Sequence, residues 1–432
     1  MKITKKFILK DYSLGNNNPK IYYGLPKDIK FCLKCTYTNQ KPNSEQEYKH
    51  SIKRKKPIIN FDEQDICSAC KVSDKKKEID WKIREKELIE LCKKYRKNNG
   101  EYDCIVPGSG GKDSMFASYI LKYKYNMNPL TVTWSPHIYT EWGKKNFYNW
   151  IASGFDNYLL TPNIKVQRLL TRLSFENLFH PFQPFMMGQM YFPPKIALKL
   201  NIKLVFYGEN PTDYGNESNE EITSKKKLDY FSVKNSDDVF ISGLKINELK
   251  KFGLNKNILY NYLPPKIDDL KKKKIDVRYL GYFIKWEPQK NFYFASEHCN
   301  FLPAPERSAG TYSKYSSIDD KMDDLHYYTT YIKFGIGRAT YDTAQEIRNN
   351  QLTRDEGIKL VRKYDGEYPS RFENELYEYL SIDEKTFGKV SKKFENPMFD
   401  HDYLERLTNK FRSPHLWYYD KENKKFILRK SI

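Results

Sequence analysis

The segment Pro107-Gly108-Ser109-Gly110-Gly111-Lys112-Asp113-Ser114 constrains this chain more than any other stretch of it. It follows Asp103-Cys104-Ile105-Val106, which reads as a buried strand, and opens Asp113 to Tyr125, which reads as a helix. Glycines let the backbone turn tightly and approach an anion with no Cβ in the way. A helix start then offers free N–H groups and a positive dipole end to phosphate oxygens. Ser109 and Ser114 add hydroxyl donors, and Lys112 adds a mobile positive charge. Asp113 stands where a Walker A loop carries Ser or Thr, and the glycines do not make Gly-x-Gly-x-x-Gly, so neither of those nucleotide loops is present. The bland alternative is a Gly-rich turn whose Asp or Ser caps the helix, and the strand–loop–helix context argues against it.

The pattern around the loop implies a parallel sheet. Leu130 to Trp134, Asn157 to Leu160 and Lys203 to Tyr207 read as strands, with a helix over Lys144 to Ala152 between the first two. Strands alternating with helices give right-handed crossovers and an α/β class. Three regions follow: residues 1–80, rich in cysteine; 81–265, the phosphate-binding domain; and 266–432, mainly helical. Lys41 to Lys56 reads as an exposed basic loop, and Glu217 to Lys274 as a lysine-rich excursion over the surface. The aromatic run Tyr279 to Trp286 precedes helices over Asp319 to Tyr331, Tyr341 to Asn349, Arg354 to Tyr364 and Arg371 to Leu380.

Cys32-Leu-Lys-Cys35 and Cys67-Ser-Ala-Cys70 form two C-x-x-C knuckles. Four thiolates at this spacing suit a closed tetrahedral zinc, and an iron–sulfur cluster is the rival occupant. Cys92, Cys104 and Cys299 read as ordinary buried cysteines. No stretch has the apolar length of a membrane helix, and Met1 to Lys10 lacks a signal-peptide core, so the expected location is cytoplasmic. There the cysteines stay reduced, which favours metal over disulfides. The net charge of +20 raises nucleic acid as a partner. The excess of Lys, Asn, Ile, Tyr and Phe together matches AT-rich coding, so nucleic-acid binding is not the expected role.

Ser109 to Ser114 resembles the pyrophosphatase (PP) loop of the ATP-pyrophosphatases, an adenine-nucleotide α-hydrolase-like fold that adenylates a carbonyl oxygen and releases pyrophosphate. The resemblance narrows with Phe61-Asp62-Glu63, Ile79-Asp80-Trp81, His180 to Phe185, Gly188-Gln189 and Tyr207 to Asn210. It continues through Tyr279 to Phe283, Gly310-Thr311-Tyr312, Asp319-Asp320-Lys321, His326-Tyr327-Tyr328, Lys333 to Arg338, Glu346-Ile347-Arg348 and Tyr364 to Glu367. Taken in order, these motifs are similar to the N-acetyl sugar amidotransferases. That family implies an ATP-dependent ligase that turns an acetamido group into an acetamidino group on bacterial surface sugars. Precursors of pseudaminic and legionaminic acid and diacetamido uronic acids are examples, tied to O-antigen synthesis and flagellin glycosylation. It implies ammonia from a glutaminase (HisH-like) through a cyclase-like (HisF-like) subunit. Two departures stand out: the region between the cysteine pairs is enlarged, and Arg307-Ser308-Ala309 replaces an acidic residue expected before Gly310.

The expected site follows from both lines. Ser109, Gly110, Gly111, Lys112, Asp113, Ser114, Thr133 and Gly208 are candidates for ATP, with Trp134 beside Thr133 as either adenine contact or core. Asp113 and Glu209 are the carboxylates expected near Mg²⁺, and with Lys112 they form the catalytic set. Asp113 as a helix cap and Glu209 as a turn residue are the alternatives. His180, Gln189, Asn210, Lys333 and Arg338 are candidates for the substrate, and Arg348 is a further cation of that kind. For His180 the competing role is a satisfied core histidine. The Tyr327-Tyr328-Tyr331 spacing reads as core. Two rival functions remain: tRNA thiolation, which uses the same loop, and a nucleotide-binding scaffold without turnover.

Overall fold

The computed structural model describes residues 23–43, 56–216, 223–231 and 239–432. The principal elements, in chain order, begin with helices α1 (Ser68–Lys76) and α2 (Trp81–Tyr95), strand β1 (Cys104–Pro107) and helix α3 (Lys112–Tyr119). Next come β2 (Pro129–Trp134), α4 (Glu141–Ala152), β3 (Asn157–Leu160), α5 (Ile164–Leu178) and α6 (Gln183–Leu200). The remainder are β4 (Leu204–Tyr207), β5 (Asp276–Tyr279), α7 (Pro288–Cys299), α8 (Met322–Phe334), α9 (Arg338–Arg348) and α10 (Arg354–Tyr364).

The strands form one five-stranded sheet, all parallel, in the order β3-β2-β1-β4-β5. The α/β class expected from the alternating pattern is therefore the one observed, with a cysteine cluster before the sheet and a mainly helical part after it. Alternate residues of a strand face opposite sides. Accordingly Cys104 and Val106 pack with Leu88 and Cys92 of α2, whereas Ile105 packs with Leu169 of α5 and Tyr191 of α6. Helices cover both faces, which is why all six residues of β2 are buried.

The strand order reverses at β1. The chain runs outward from β1 to β2 and β3, then returns to pair β4 on the other side of β1. Such a switch point opens a crevice at the carboxyl ends of the two strands, the place where open α/β sheets bind ligands. The segments leaving β1 and β4 here are Gly108–Gly111 and Gly208–Asn210, so topology alone brings them together.

Several sequence expectations are corrected. The described parts of Glu217 to Lys274 do not run over the surface: Phe231, Val239, Ile241, Leu249, Leu259 and Leu270 are buried in the core beside α6. Lysines between these apolar residues keep their ammonium groups outward and mask the pattern. Of the stretch Lys41 to Lys56, residues 44–55 lie outside the described residues, and Lys41 is buried with only 1% exposure. Lys41 points its ammonium toward the Tyr37 and Tyr341 rings, and burial pushes its pKa down to about 7. β5 lies beyond residue 265, so the sheet draws a strand from the region read as helical. The helix after the loop is regular only to Tyr119 and continues as a π turn over Ile120–Lys124. An antiparallel hairpin of Trp417–Asp420 with Lys425–Leu428 ends the chain. Cys92, Cys104 and Cys299 are buried, as read. Among the described residues, no helix is long and apolar enough to cross a membrane.

Candidate active site and metal centre

A cavity of about 730 Å³ lies over the crevice at the switch point. Its floor is the loop from Ser109 to Ser114. Gly110 has φ +87°, and a Cβ there would stand 2.7 Å from the Phe147 Cα in α4, so only glycine lets the loop lie against that helix. Gly111 occupies the start of α3, and no side chain caps it. Asp113 is thus not a helix cap. One of its carboxylate oxygens accepts from Lys112 Nζ at 2.5 Å, and the other from Asn291 Nδ2 at 2.8 Å. Ser114 Oγ donates to the Gly111 carbonyl at 2.8 Å. The Ser109 hydroxyl bonds the Asp319 carboxylate, whose pKa is pushed up by burial and by neighbouring Asp320.

Glu209 leaves β4 into the same cavity. Burial, and then the Asp113 carboxylate, push its pKa up to about 7, while Lys112 and a hydrogen bond with Tyr214 pull the other way. A carboxylate whose proton affinity is raised by a second carboxylate, with one lysine beside them, suits a hard divalent cation, which would relieve the repulsion.

The opposite wall comes from three distant segments. α5 ends at Phe179, which takes the left-handed φ of +49° and stacks on Phe411 with ring centres 5.0 Å apart. A bulky residue seldom adopts that conformation, and packing holds it there. The next residue, His180, faces the cavity, and the Ser174 hydroxyl anchors its carbonyl at 2.7 Å. The His180 ring stacks on His326 of α8 at 5.0 Å and 19°. Gln189 of α6 and Arg338 of α9 also line the cavity. Arg338 donates to Asp342 at 3.1 Å and to the Tyr327 hydroxyl. Tyr327 itself faces the cavity, which corrects its reading as core.

Three candidates are not brought to the site. Thr133 is buried in the sheet, where its hydroxyl accepts from Asn157 Nδ2 at 2.9 Å. Asn210 is buried and caps the 3₁₀ turn Pro211–Tyr214, accepting from the Thr212 N–H at 3.1 Å. Lys333 is buried and donates to the Leu178 carbonyl at 3.1 Å. Strand pleat and helix phase turn Thr133 and Lys333 into the core, and capping the turn holds the Asn210 side chain. Trp134 is likewise buried, with Gly188 pressed against its ring. Asn291, Asp319 and His326 were not singled out in advance as site residues. The two latter lie in quoted motifs, while nothing in the sequence sets Asn291 apart from other helix-surface asparagines. Where an acidic residue was expected before Gly310, Arg307 instead pairs with Glu367 through two bonds of 2.6 Å, and the Gly310 N–H donates to the same carboxylate at 2.7 Å.

Cys32, Cys35, Cys67 and Cys70 come together with their sulfurs all within 4.8 Å of one another. Cys32–Cys70 and Cys35–Cys67 stand 3.8 and 3.7 Å apart. A tetrahedral ion with metal–sulfur bonds of about 2.3 Å sets its thiolates roughly 3.8 Å apart, so the four residues fit one ion. Backbone N–H groups of Lys34 and Cys67 approach the Cys32 sulfur at 3.4 Å, and an Arg348 nitrogen lies 4.0 Å from Cys35, which stabilises thiolates. The four cysteines are arranged to hold a metal ion.

Residues 309–430 match the family model of the LPS biosynthesis protein WbpG-like, C-terminal domain. That match supports the resemblance drawn from the motifs. The uncharacterized protein MJ1599 of Methanocaldococcus jannaschii is 40% identical over 83 residues, 19% of this chain and 29% of that protein. The chain therefore spans less than a third of that relative's length. Among solved structures, the U34-tRNA thiolase NcsA from Methanococcus maripaludis with its 4Fe–4S cluster is 11% identical, with a TM-score of 0.27, covering 65% of this chain and 80% of its own.

Proposed function

Proceeding from a WbpG-like, LPS-biosynthesis domain at residues 309–430, we propose that the protein is an ATP-dependent ligase that converts an acetamido group of a surface-glycan sugar into an acetamidino group. The observation that carries the proposal is the shared cavity: the phosphate loop forms its floor, while Asp319, His326, Tyr327 and Arg338, all from the matched domain, face it.

An amide carbon is a poor electrophile. Attack of the amide oxygen on the α-phosphorus of ATP turns that oxygen into a leaving group and expels pyrophosphate. The loop amides, Ser109, Ser114 and Lys112 hold the departing pyrophosphate, since phosphoryl transfer depends on position and charge neutralisation. Asn291 and Lys112 orient Asp113. Asp113 and Glu209 would hold Mg²⁺, which supplies charge neutralisation when bound. Ammonia then adds to the activated carbon, AMP leaves with the C–O electron pair, and one proton is released from nitrogen. His180, Gln189 and Arg338 are assigned to the sugar. The four cysteines would hold structural Zn²⁺, a closed site with no open position for chemistry.

The proposal includes a cytoplasmic location and ammonia supplied by glutaminase and cyclase-like subunits, both resting on the family resemblance. Thiolation is disfavoured. Cys104, the one cysteine in the strand that leads to the loop, is wholly buried, and burial pushes its thiol well above the usual range. Incubation with ATP, Mg²⁺, ammonium and a diacetamido uronic acid, free or nucleotide-linked, is expected to release pyrophosphate and yield one amidine per AMP. The absence of sugar-dependent pyrophosphate across a panel of N-acetylated sugars would sink the proposal.

A further inference from the structure

Helix α9 joins two sites that lie far apart in the chain. Its first residue, Arg338, faces the main cavity, and Asp342 and Gln345 follow it on the same wall. Its last residue, Arg348, ends beside the four cysteines, about 15 Å farther along at a rise of about 1.5 Å per residue. Between these ends, Tyr341, Ala344 and Ile347 pack with Tyr37 and with the cysteines themselves. Thr36, next to Cys35, donates to the Thr340 carbonyl at 3.2 Å and bonds the Thr343 hydroxyl at 2.9 Å.

A second flank of the cavity is tied to the same cysteines. Helix α1 starts at Ser68, directly after Cys67, and the Ser68 hydroxyl donates to the Gly215 carbonyl at 3.2 Å. Lys76, at the other end of α1, pairs with Asp213. Both contacts hold the 3₁₀ turn Pro211–Tyr214, whose Tyr214 bonds Glu209. Arg348 reaches across these parts. One guanidinium nitrogen lies 4.0 Å from Cys35 Sγ, and the other donates to the Asp213 carbonyl at 3.1 Å. The guanidinium carbon stands 4.9 Å from the centre of the Tyr37 ring.

The contacts differ in what they sense. The Thr36–Thr343 bond joins neutral groups, so it is indifferent to an ion nearby. Four thiolates around one divalent ion carry a net charge of about −2. A guanidinium is always charged and planar, so one edge can answer that charge while the fork also bonds a carbonyl. With the ion removed, the dianion is lost and the Arg348 contact weakens. Outer-shell partners of this kind also orient the ligands they touch.

We propose that Arg348 is a positioning residue through which the ion held by the four cysteines sets the stance of α9 and of the turn Pro211–Tyr214. The cavity wall bearing Arg338 and the flank that holds Glu209 would then keep their geometry only while the metal is bound. The coupling rests on the cysteines being a metal site, and it holds whatever reaction the cavity performs.

The test crosses metal removal with substitution in the full-length protein, read by hydrogen–deuterium exchange. Stripping metal from the wild type is expected to quicken exchange in α9 and in residues 211–216 about tenfold, while α3 stays within about twofold. Arg348→Gln with metal bound should quicken the same two segments to the same degree, and stripping its metal should then add less than about twofold. Cobalt in place of the native ion gives a second readout. Its thiolate-to-cobalt charge-transfer band should move to lower energy in Arg348→Gln and return in Arg348→Lys, which keeps the charge; a role in packing alone would not do this. A full tenfold effect of metal removal persisting in Arg348→Gln, or an unmoved cobalt band in that variant, would overturn the proposal. Equal quickening of α3 and the sheet in Arg348→Gln would overturn it too, because Arg348 would then support the fold at large. Failure of the wild type to take up stoichiometric metal would defeat the metal-site reading and the coupling with it. None of these outcomes bears on pyrophosphate release, which tests the amidotransfer reading separately.

Discussion

At the loop end of the cavity, six consecutive residues from Ser109 to Ser114 supply hydroxyls, amides, an ammonium and a carboxylate. The opposite wall gathers His180, Gln189, His326 and Arg338 from four elements spread over more than a third of the chain. The first end is local, and its geometry follows once a strand, a glycine turn and a helix form in succession. The second exists only after α5, α6, α8 and α9 have packed. A change in the loop should therefore act on chemistry alone, whereas a change in the wall should mix recognition with folding.

The largest effect is expected from Lys112→Ala. Removing the cation that faces both Asp113 and the leaving group should lower pyrophosphate release by about 10²–10³-fold, the usual loss when one preorganised charge-stabilising group is deleted. Sugar binding measured by calorimetry should be unchanged; if it falls in parallel, the two ends are not separable. Cys67→Ser should next abolish stoichiometric metal, read by elemental analysis, and lower the melting temperature, because metal binding at such sites is folding energy. Iron in place of about one zinc per chain would replace the assigned ion. On the wall, Arg338→Lys keeps the charge but loses the planar fork that reaches Asp342 and Tyr327 together. The expected result is a roughly tenfold higher sugar KM with the ATP KM unmoved.

Asn291→Ala probes an α7 residue that serves the loop through its bond to Asp113. Losing one hydrogen bond to a charged group, about 1–2 kcal/mol, should cost kcat roughly 5–30-fold with little change in KM. The smallest effect concerns stability. Native Glu209 keeps its proton up to about pH 7, whereas the unfolded chain loses it near 4.5. Between those values the native state binds more protons, so stability falls as pH rises through that window. Glu209→Gln, without nucleotide, should be more stable than wild type by about 1 kcal/mol above pH 7, after allowance for partial exposure, and equal to it below pH 4.5. Melting curves at pH 4.5, 6 and 8 check both limits.

What was legible follows the same division. The parallel sheet could be read from alternating strand and helix patterns, and the metal site from two C-x-x-C pairs, because each signal is local. Thr133, Asn210 and Lys333 could not be placed. A candidate polar residue next to a motif faces either site or core, and the choice depends on strand pleat and helix phase after packing. The lysine-rich stretch before β5 misled for a related reason: long cationic side chains can surround buried Phe and Leu without showing which face they take. Lys41 shows the reverse, a basic residue in a polar stretch that ends up buried against two tyrosine rings.

By itself the sequence determined that a glycine loop between a strand and a helix would present N–H groups, Lys112 and Asp113 to an anion, and that four cysteines would gather in pairs. Those outcomes depend on bond geometry and on contacts a few residues apart. The tertiary structure decided which carboxylate meets Asp113, which asparagine orients it, and which helices close the cavity. It also placed Arg348 between Cys35 and the Asp213 carbonyl. Those outcomes depend on strand order and helix packing, which bring together residues 96 or more positions apart and so leave no periodic trace along the chain.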